Sequence, residues 1–472
     1  MLRGMHPARR RLLRGAFALP LVALLWASPR PLRAQEAPET LDRARMKQLT
    51  ALCERFAKAA ESPFPDGAMM LVENDAAAEP PIPASAVAPL VEALVELRMK
   101  HGPTLKKKGS DYFYDEESKR GFYMVSRGKK GGGLLLSLHG GGEGQGDAGS
   151  AHGIWGSASS KGFTVISPEV MEKVSSAWNM EPEEQMVLAL IDAAKRTFEV
   201  DPRRICIAGH SMGGDGTWMI GGRNADVFAA AAPLAGSVMP YMRPGTLNRI
   251  DTPLSDYQGL MEGVVANLMH VPYHIHHSDD DRNEAIHPDD IATGYLKRLQ
   301  QLFPGKYVFT YDRVSGNGHA LPATGVKPII EWLSEQERVT YPDEVVWETW
   351  WPWKRRMYWL YHPEPKSAWR FHGKVLGDNH IDLVATSKPA AGRTEPDAFT
   401  VRVLLSSRMV DLSRPVRITS GDKVLFEGVV PRSVWALLVT AGRSMDPTDT
   451  YEAFVDVEVP RVLWFDLWDG LR

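Results

Sequence analysis

The sequence predicts a doubly wound α/β fold with a mostly parallel sheet, followed by a C-terminal β-sandwich-like domain. Three observations predict it. Between residues 110 and 338, short apolar runs alternate with amphipathic helical stretches. Several of those runs, such as Leu134-Leu135-Leu136-Ser137-Leu138, are apolar at successive positions, as strands covered on both faces must be. After about Val339 the helical period stops, and short runs separated by turn residues take over.

The elements follow in order. Residues 1–34 carry an export-signal pattern: a basic stretch with Arg3, Arg9, Arg10, Arg11 and Arg14, an apolar core over 15–27, and Ala34 ahead of polar Gln35-Glu36. That core is shorter than the roughly 20 residues a membrane span needs. Arg9-Arg10-Arg11-Leu12-Leu13-Arg14 fits a twin-arginine signal, with Leu12 where Phe is usual, and equally an arginine-rich Sec signal. Either route predicts a periplasmic or secreted chain. Residues 35–109 read as a helical segment and linker. A helix is expected over 41–60, where Leu49, Leu52 and Phe56 keep helical spacing, and a second over 86–100, with a linker rich in Ala, Pro and Glu over 75–85.

In the block 110–338, strands are expected at 122–125, 134–138, 163–166, 204–208, 227–234, 271–277 and 307–311, with helices at 184–198, 212–221, 287–302 and 326–335. Residues 236–270, with Met239, Tyr241, Met242 and Tyr257, break the rhythm, and read as a cap over the sheet's carboxyl edge or as an extra surface helix. In 339–472, strands are expected at 345–350, 357–361, 380–384, 399–405, 416–418, 424–426 and 453–459, with a turn at Ser420-Gly421-Asp422 and one helix over 431–441. Trp347, Trp350, Trp351, Trp353, Trp359 and Trp369 crowd the start of this region. Such a cluster buries a domain interface or, on an exposed face, stacks on sugars.

Composition narrows the function classes. The chain of 472 residues has a formal net charge of -3, so no global basic field points to nucleic acid or an anionic membrane. Two cysteines, Cys53 and Cys206, allow neither a disulfide framework nor a cysteine zinc site. Cys206, inside an apolar strand, reads as a buried free thiol.

The chemistry centres on Gly209-His210-Ser211-Met212-Gly213, which follows the apolar run 204–208 and precedes a helical stretch. Strand, glycine-flanked serine, helix is the context in which a tight turn lifts a serine Oγ out of the sheet edge. Acyl transfer by Ser211 further needs a base, an orienter for the base and donors for the oxyanion. The run Ser278-Asp279-Asp280-Asp281 after the strand at 271–277 supplies carboxylates, and His319 lies in a glycine-flanked loop after the strand at 307–311. The oxyanion donors are expected to be the amide of Met212 and those of Gly140 and Gly141 in His139-Gly140-Gly141-Gly142. His274, His276 and His277 beside the aspartates invite a metal reading, but the further histidines that a metallohydrolase pattern needs are absent; no metal or cofactor is expected.

On these motifs, together with Val200-Asp201-Pro202-Arg203-Arg204 and Gly318-His319, the block 110–338 resembles the α/β-hydrolase superfamily. Within it, the block is similar to exported esterases of the feruloyl-esterase and polyhydroxybutyrate-depolymerase type, and to the catalytic domains of prolyl-oligopeptidase relatives. The resemblance implies a Ser-His-Asp esterase. Laying its His-Gly-x-x-Asp pattern on His277-Ser278 places the acid at Asp281; a shift of one residue chooses Asp280. The elbow differs from that of many carbohydrate esterases at His210 and Met212, which points away from a feruloyl substrate. The expected activity is hydrolysis of a small-molecule or polysaccharide-linked carboxylic ester. The alternatives are a serine peptidase, whose gating propeller is missing here, and a binding protein on an inactive hydrolase fold, which would have lost part of the machinery.

Overall fold

The computed structural model describes residues 40–105, 112–115, 117–141, 146–172, 177–238, 263–349, 353–363, 369–387 and 398–463. The expected export signal, most of the expected cap, and Trp350 and Trp351 lie outside the described residues. Residues 36–472 form one compact unit.

Three helices come first: α1 (Arg43–Ala59), α2 (Pro65–Ala77) and α3 (Ala84–Lys100). Asp42 caps α1 by accepting the amide of Arg45 at 2.7 Å. Leu49, Leu52, Cys53 and Phe56 of α1 join Leu90, Val91 and Leu94 of α3 in the core. Helix α2 overlaps the stretch expected as a linker. Its alanines are helix formers as much as linker residues, and Met69, Val72 and Ala76 give it an apolar face that the core buries. Arg443 ties it down from far along the chain, donating to Glu73 at 2.6 Å and Asp66 at 2.7 Å.

The first sheet holds β1 (Tyr112–Asp115), β2 (Arg120–Ser126), β3 (Leu134–Leu138), β4 (Thr164–Pro168), β5 (Ile205–His210), β6 (Ala230–Leu234), β7 (Tyr273–Ser278) and β8 (Phe309–Val314). Their order across the sheet is β1-β2-β4-β3-β5-β6-β7-β8. The pairs β1–β2 and β2–β4 are antiparallel, and every pair from β4 to β8 is parallel. This is the α/β-hydrolase fold. Five helices accompany the strands: α4 (Ala148–Trp155), α5 (Glu181–Phe198), α6 (Met212–Arg223), α7 (His287–Leu302) and α8 (Lys327–Ser334). Alternate strand residues enter different cores. Leu134, Leu136, Ile205 and Ile207 pack with Met186 and Leu190 of α5, Trp218 of α6 and Leu299 of α7. Leu135, Cys206, Ala208 and Ala230 pack with Trp155 of α4 and Ile329 and Ile330 of α8. Both faces are therefore covered, which is why these strands read as unbroken apolar runs. The strand order reverses beside β3 and β5, and at such a switch point the carboxyl ends of the strands open a crevice.

The second sheet holds β9 (Glu344–Thr349), β10 (Arg356–Met357), β11 (Leu360–Tyr361), β12 (Trp369–Gly377), β13 (His380–Ser387), β14 (Ala398–Leu405), β15 (Val416–Ser420), β16 (Lys423–Gly428) and β17 (Ala453–Leu463). The long β17 joins two halves: it pairs antiparallel with β14 from Ala453 to Pro460, then parallel with β13 from Arg461 to Leu463. The turn expected at Ser420-Gly421-Asp422 joins β15 to β16. The helix expected over 431–441 starts later, as α9 (Val434–Leu437), and runs into a π-helical turn over Leu438–Gly442. Arg432 is instead spent bridging Ile82 and Ala453.

Two of the six clustered tryptophans, Trp347 and Trp359, are buried in the core, continuous with that of the first sheet, and Trp353 is half-buried. The Trp359 ring sits where a Cβ on Gly373 would come within 2.4 Å of it, and its Nε1 donates to the Pro342 carbonyl at 2.9 Å. These are core contacts and not a sugar platform. Replacing Trp359 by alanine is expected to destabilise the chain by about 3–5 kcal/mol, read from the urea unfolding midpoint.

Candidate active site

Strand β5 ends at His210 and α6 begins at Met212, so the chain turns on Ser211 alone. Ser211 pays for this with a left-handed backbone, φ 60° and ψ -129°. The conformation is held on both sides. The Ser211 amide donates to the Leu234 carbonyl of β6 at 2.9 Å, and its own carbonyl accepts from Gly214 at 2.7 Å and Asp215 at 3.1 Å. The flanking glycines are required by space. A Cβ on Gly209 would lie 2.2 Å from the Gly213 carbonyl oxygen, and one on Gly213 would lie 2.1 Å from that of Leu138.

His319 lies in the loop between β8 and α8. Its Nδ1–H donates to Asp281 Oδ2 at 2.7 Å, and its Nε2 accepts from Ser211 Oγ at 2.8 Å. The structure thus brings Ser211, His319 and Asp281 into one hydrogen-bonded line. The Asp281 side chain has 0% exposure and that of His319 20%. Burial pushes the Asp281 carboxyl up, but the His319 hydrogen bond and the amides of Glu284 and Asn283 outweigh it and hold the group below its ordinary value.

The alternative acid, Asp280, faces elsewhere. Its Oδ1 accepts from the Ser278 hydroxyl and from the amides of Gly316 at 3.1 Å and Gly318 at 3.0 Å. Asp279 accepts from Arg313 at 2.9 Å and Ser315 at 2.7 Å. Three consecutive carboxylates therefore grip three successive parts of the loop that carries His319. The sequence alone offered Asp280 as an alternative acid and assigned these two carboxylates no contact with the loop. The available signal was the pair Gly316 and Gly318, whose bare backbone leaves amides open to a carboxylate.

Gly140 follows β3 and packs against the elbow: a Cβ there would lie 3.0 Å from Ser211 Cβ. Gly141 has φ 86°, and Gly142 lies outside the described residues. The loop is anchored by His139, whose Nδ1–H donates to the Gly140 carbonyl at 2.9 Å, whose Nε2 accepts from the Val170 amide at 3.2 Å, and whose carbonyl accepts Trp178 Nε1 at 2.9 Å. Met212 opens α6, where the first amides have no acceptor within the helix and the helix dipole favours negative charge. The His210 ring lies against that of His319, with centroids 4.9 Å apart and the planes tilted by 46°. Burial, aided by the neighbouring His319, pushes His210 down to about 4, so it is neutral near pH 7.

The other histidines serve separate partners. His274 bonds Asp312 at 2.8 Å, His276 meets Asn317 at 3.4 Å, and His277 meets Asp289 at 2.9 Å. Among the described residues, no group of three or more His, Cys, Asp or Glu is placed to hold a metal ion. Cys53 and Cys206 are buried free thiols, and burial pushes both up to about 12.

No family model matches the chain, and no curated protein matches it. Similar solved structures include a thermostable esterase, 20% identical, over 48% of this chain and 62% of that one, with a TM-score of 0.35. The acetyl xylan esterase of Aspergillus awamori is 14% identical, over 47% of this chain and 96% of that one, with a TM-score of 0.36. The carboxylesterase of Bacillus cereus is 15% identical, over 47% of this chain and 97% of that one, with a TM-score of 0.33. At these scores the overlaps are partial; the strand order and the elbow define the class of fold.

Proposed function

We propose that the chain is an exported serine hydrolase that cleaves carboxylic esters through an acyl-enzyme. The observation that carries this reading is the line from Asp281 to His319 to Ser211, with contacts of 2.7 and 2.8 Å, on an elbow whose backbone strain aims Oγ at the base. Export rests on the arginine-rich, apolar pattern of residues 1–34.

In this reading Ser211 Oγ attacks the ester carbonyl while His319 Nε2 takes its proton. The charge on the carbonyl oxygen falls toward the Met212 amide and the amides of Gly140 and Gly141, which stabilise it without reorganising. Collapse expels the alcohol, protonated by the imidazolium. Water then attacks the acyl-Ser211 by the same route in reverse. Asp281 keeps the proton of His319 on Nδ1, so that Nε2 is free to accept, and stabilises the imidazolium that forms.

A series of p-nitrophenyl esters and aminoacyl p-nitroanilides tests the reading. Turnover of the esters with a burst of p-nitrophenol, and little turnover of the anilides, is the expected result. Cleavage of anilides without esters would replace it with a peptidase.

A further inference from the structure

His277 and Asp289 have 0% side-chain exposure, and the reaction above uses neither. His277 lies near the end of β7 and Asp289 in the first turn of α7. The His277 ring is surrounded by oxygens. Nδ1 lies 2.9 Å from Asp289 Oδ2; Nε2 lies 3.3 Å from the Glu284 carbonyl oxygen and 3.4 Å from Asp281 Oδ2. A carbonyl oxygen only accepts, and an ionised carboxylate only accepts, so this environment is served by an imidazole with protons on both nitrogens.

The oxygen that His277 faces, Asp281 Oδ2, is the one that receives Nδ1–H from His319. Asp281 therefore sits between two imidazoles. One is carried on a loop, and the other is fixed in the sheet and backed by a second buried carboxylate. We propose that His277, held by Asp289, is a positioning residue of the triad, which fixes Asp281 Oδ2 in line with His319. The proposal rests on the reading of Ser211 and His319 as nucleophile and base.

The electrostatics agree with this geometry. Burial works against a charged His277, but the hydrogen bond and charge of Asp289, with Asp281 and the Glu284 carbonyl, raise it above its ordinary value. Burial pushes Asp289 up to about 6, although the hydrogen bond and charge of His277 pull it down. Beyond Asp289, the side chains of Asp290 and Tyr311 pair with each other at 2.9 Å.

The test compares His277→Leu, His277→Gln and Asp289→Asn in the full chain, with p-nitrophenyl acetate for kcat and KM, a fluorophosphonate for the rate of serine labelling, and thermal unfolding as a check on the fold. Misalignment of Asp281 is expected to lower kcat and labelling about 100-fold in His277→Leu with KM nearly constant, because a displacement of about 1 Å costs that much. His277→Gln keeps an Nε2–H donor toward Asp281 and the Glu284 carbonyl, and is expected to recover most of the rate. Asp289→Asn is expected to fall between. A folded His277→Leu with wild-type kcat, or losses in Leu and Gln that merely track stability, would overturn the proposal. Should His277→Leu not fold, Asp289→Asn decides: reduced kcat at constant KM supports the proposal, and unchanged kcat overturns it. A Ser211→Ala control separates the two levels. Labelling that persists there refutes the nucleophile, whereas labelling lost there but normal in the His277 variants refutes only the positioning role.

Discussion

Replacing Ser211 by alanine is expected to lower kcat for ester cleavage by about a thousand- to a million-fold while leaving the fold intact. The size follows from what the substitution removes. In the proposed reaction Oγ is the atom that forms the acyl bond, and among the described residues no other side chain is both at hydrogen-bond distance from His319 Nε2 and at the carboxyl edge of β5. The residual rate comes from the oxyanion donors and substrate binding, which the substitution spares. The fold survives because the elbow is held through the backbone: Ser211 uses its amide on Leu234 and its carbonyl on Gly214 and Asp215, and alanine keeps all three. Alanine at φ 60° carries the same strain as serine, so the stability change is expected to be small. Mass spectrometry after fluorophosphonate treatment, together with circular dichroism, checks both halves. Retained turnover or labelling would remove Ser211 from the mechanism.

The elbow was legible in the sequence because its causes are local. Gly209 faces the Gly213 carbonyl oxygen within one turn of chain, although Gly213 itself faces Leu138 of the neighbouring β3, and the apolar run before them reports that both faces of β5 are covered. His319 was legible by order, since strand and loop succession fix which chain ends meet at one edge of a parallel sheet. Elements whose identity depends on distant partners were harder to read. Helix α2 carries no expected element over 65–74 and ends inside the expected linker at 75–85; its helical character shows only once Arg443 and the α1–α3 core are seen against it. Strand β12 alternates, with Phe371 and Val375 apolar between Arg370, His372 and Lys374, but Gly373 interrupts its apolar side; that glycine makes room for the Trp359 ring, and Arg370 pairs with Glu348 on β9. The pair His277 and Asp289 joins a strand to a helix through a contact that no spacing rule anticipates.

The aspartate run is the sharpest case, because three identical side chains in a row cannot be told apart by type. Their roles come from the path of the loop around them, and the second large prediction turns on that difference. Asp281→Asn is expected to lower kcat by about ten-thousand-fold. An asparagine amide would present a donor to His319 Nδ1, favouring the tautomer with its proton on Nε2, which cannot accept from Ser211. Asp280→Asn keeps an acceptor oxygen for the amides of Gly316 and Gly318 and is expected to cost about tenfold at most, since only the loop's position is at stake. Acid behaviour distinguishes them further. The Asp281 carboxyl is held below its ordinary value in the folded chain, so it contributes stability above the unfolded value, about 3.9, and loses that contribution as pH falls through the folded one. The stability gap between the wild type and Asp281→Asn is therefore expected to be widest near neutrality and to shrink on acidification below about pH 4, measured by urea unfolding across that range. Equal, mild kinetic losses in the two variants would refute Asp281 as the acid, and a larger loss in Asp280→Asn would transfer the role.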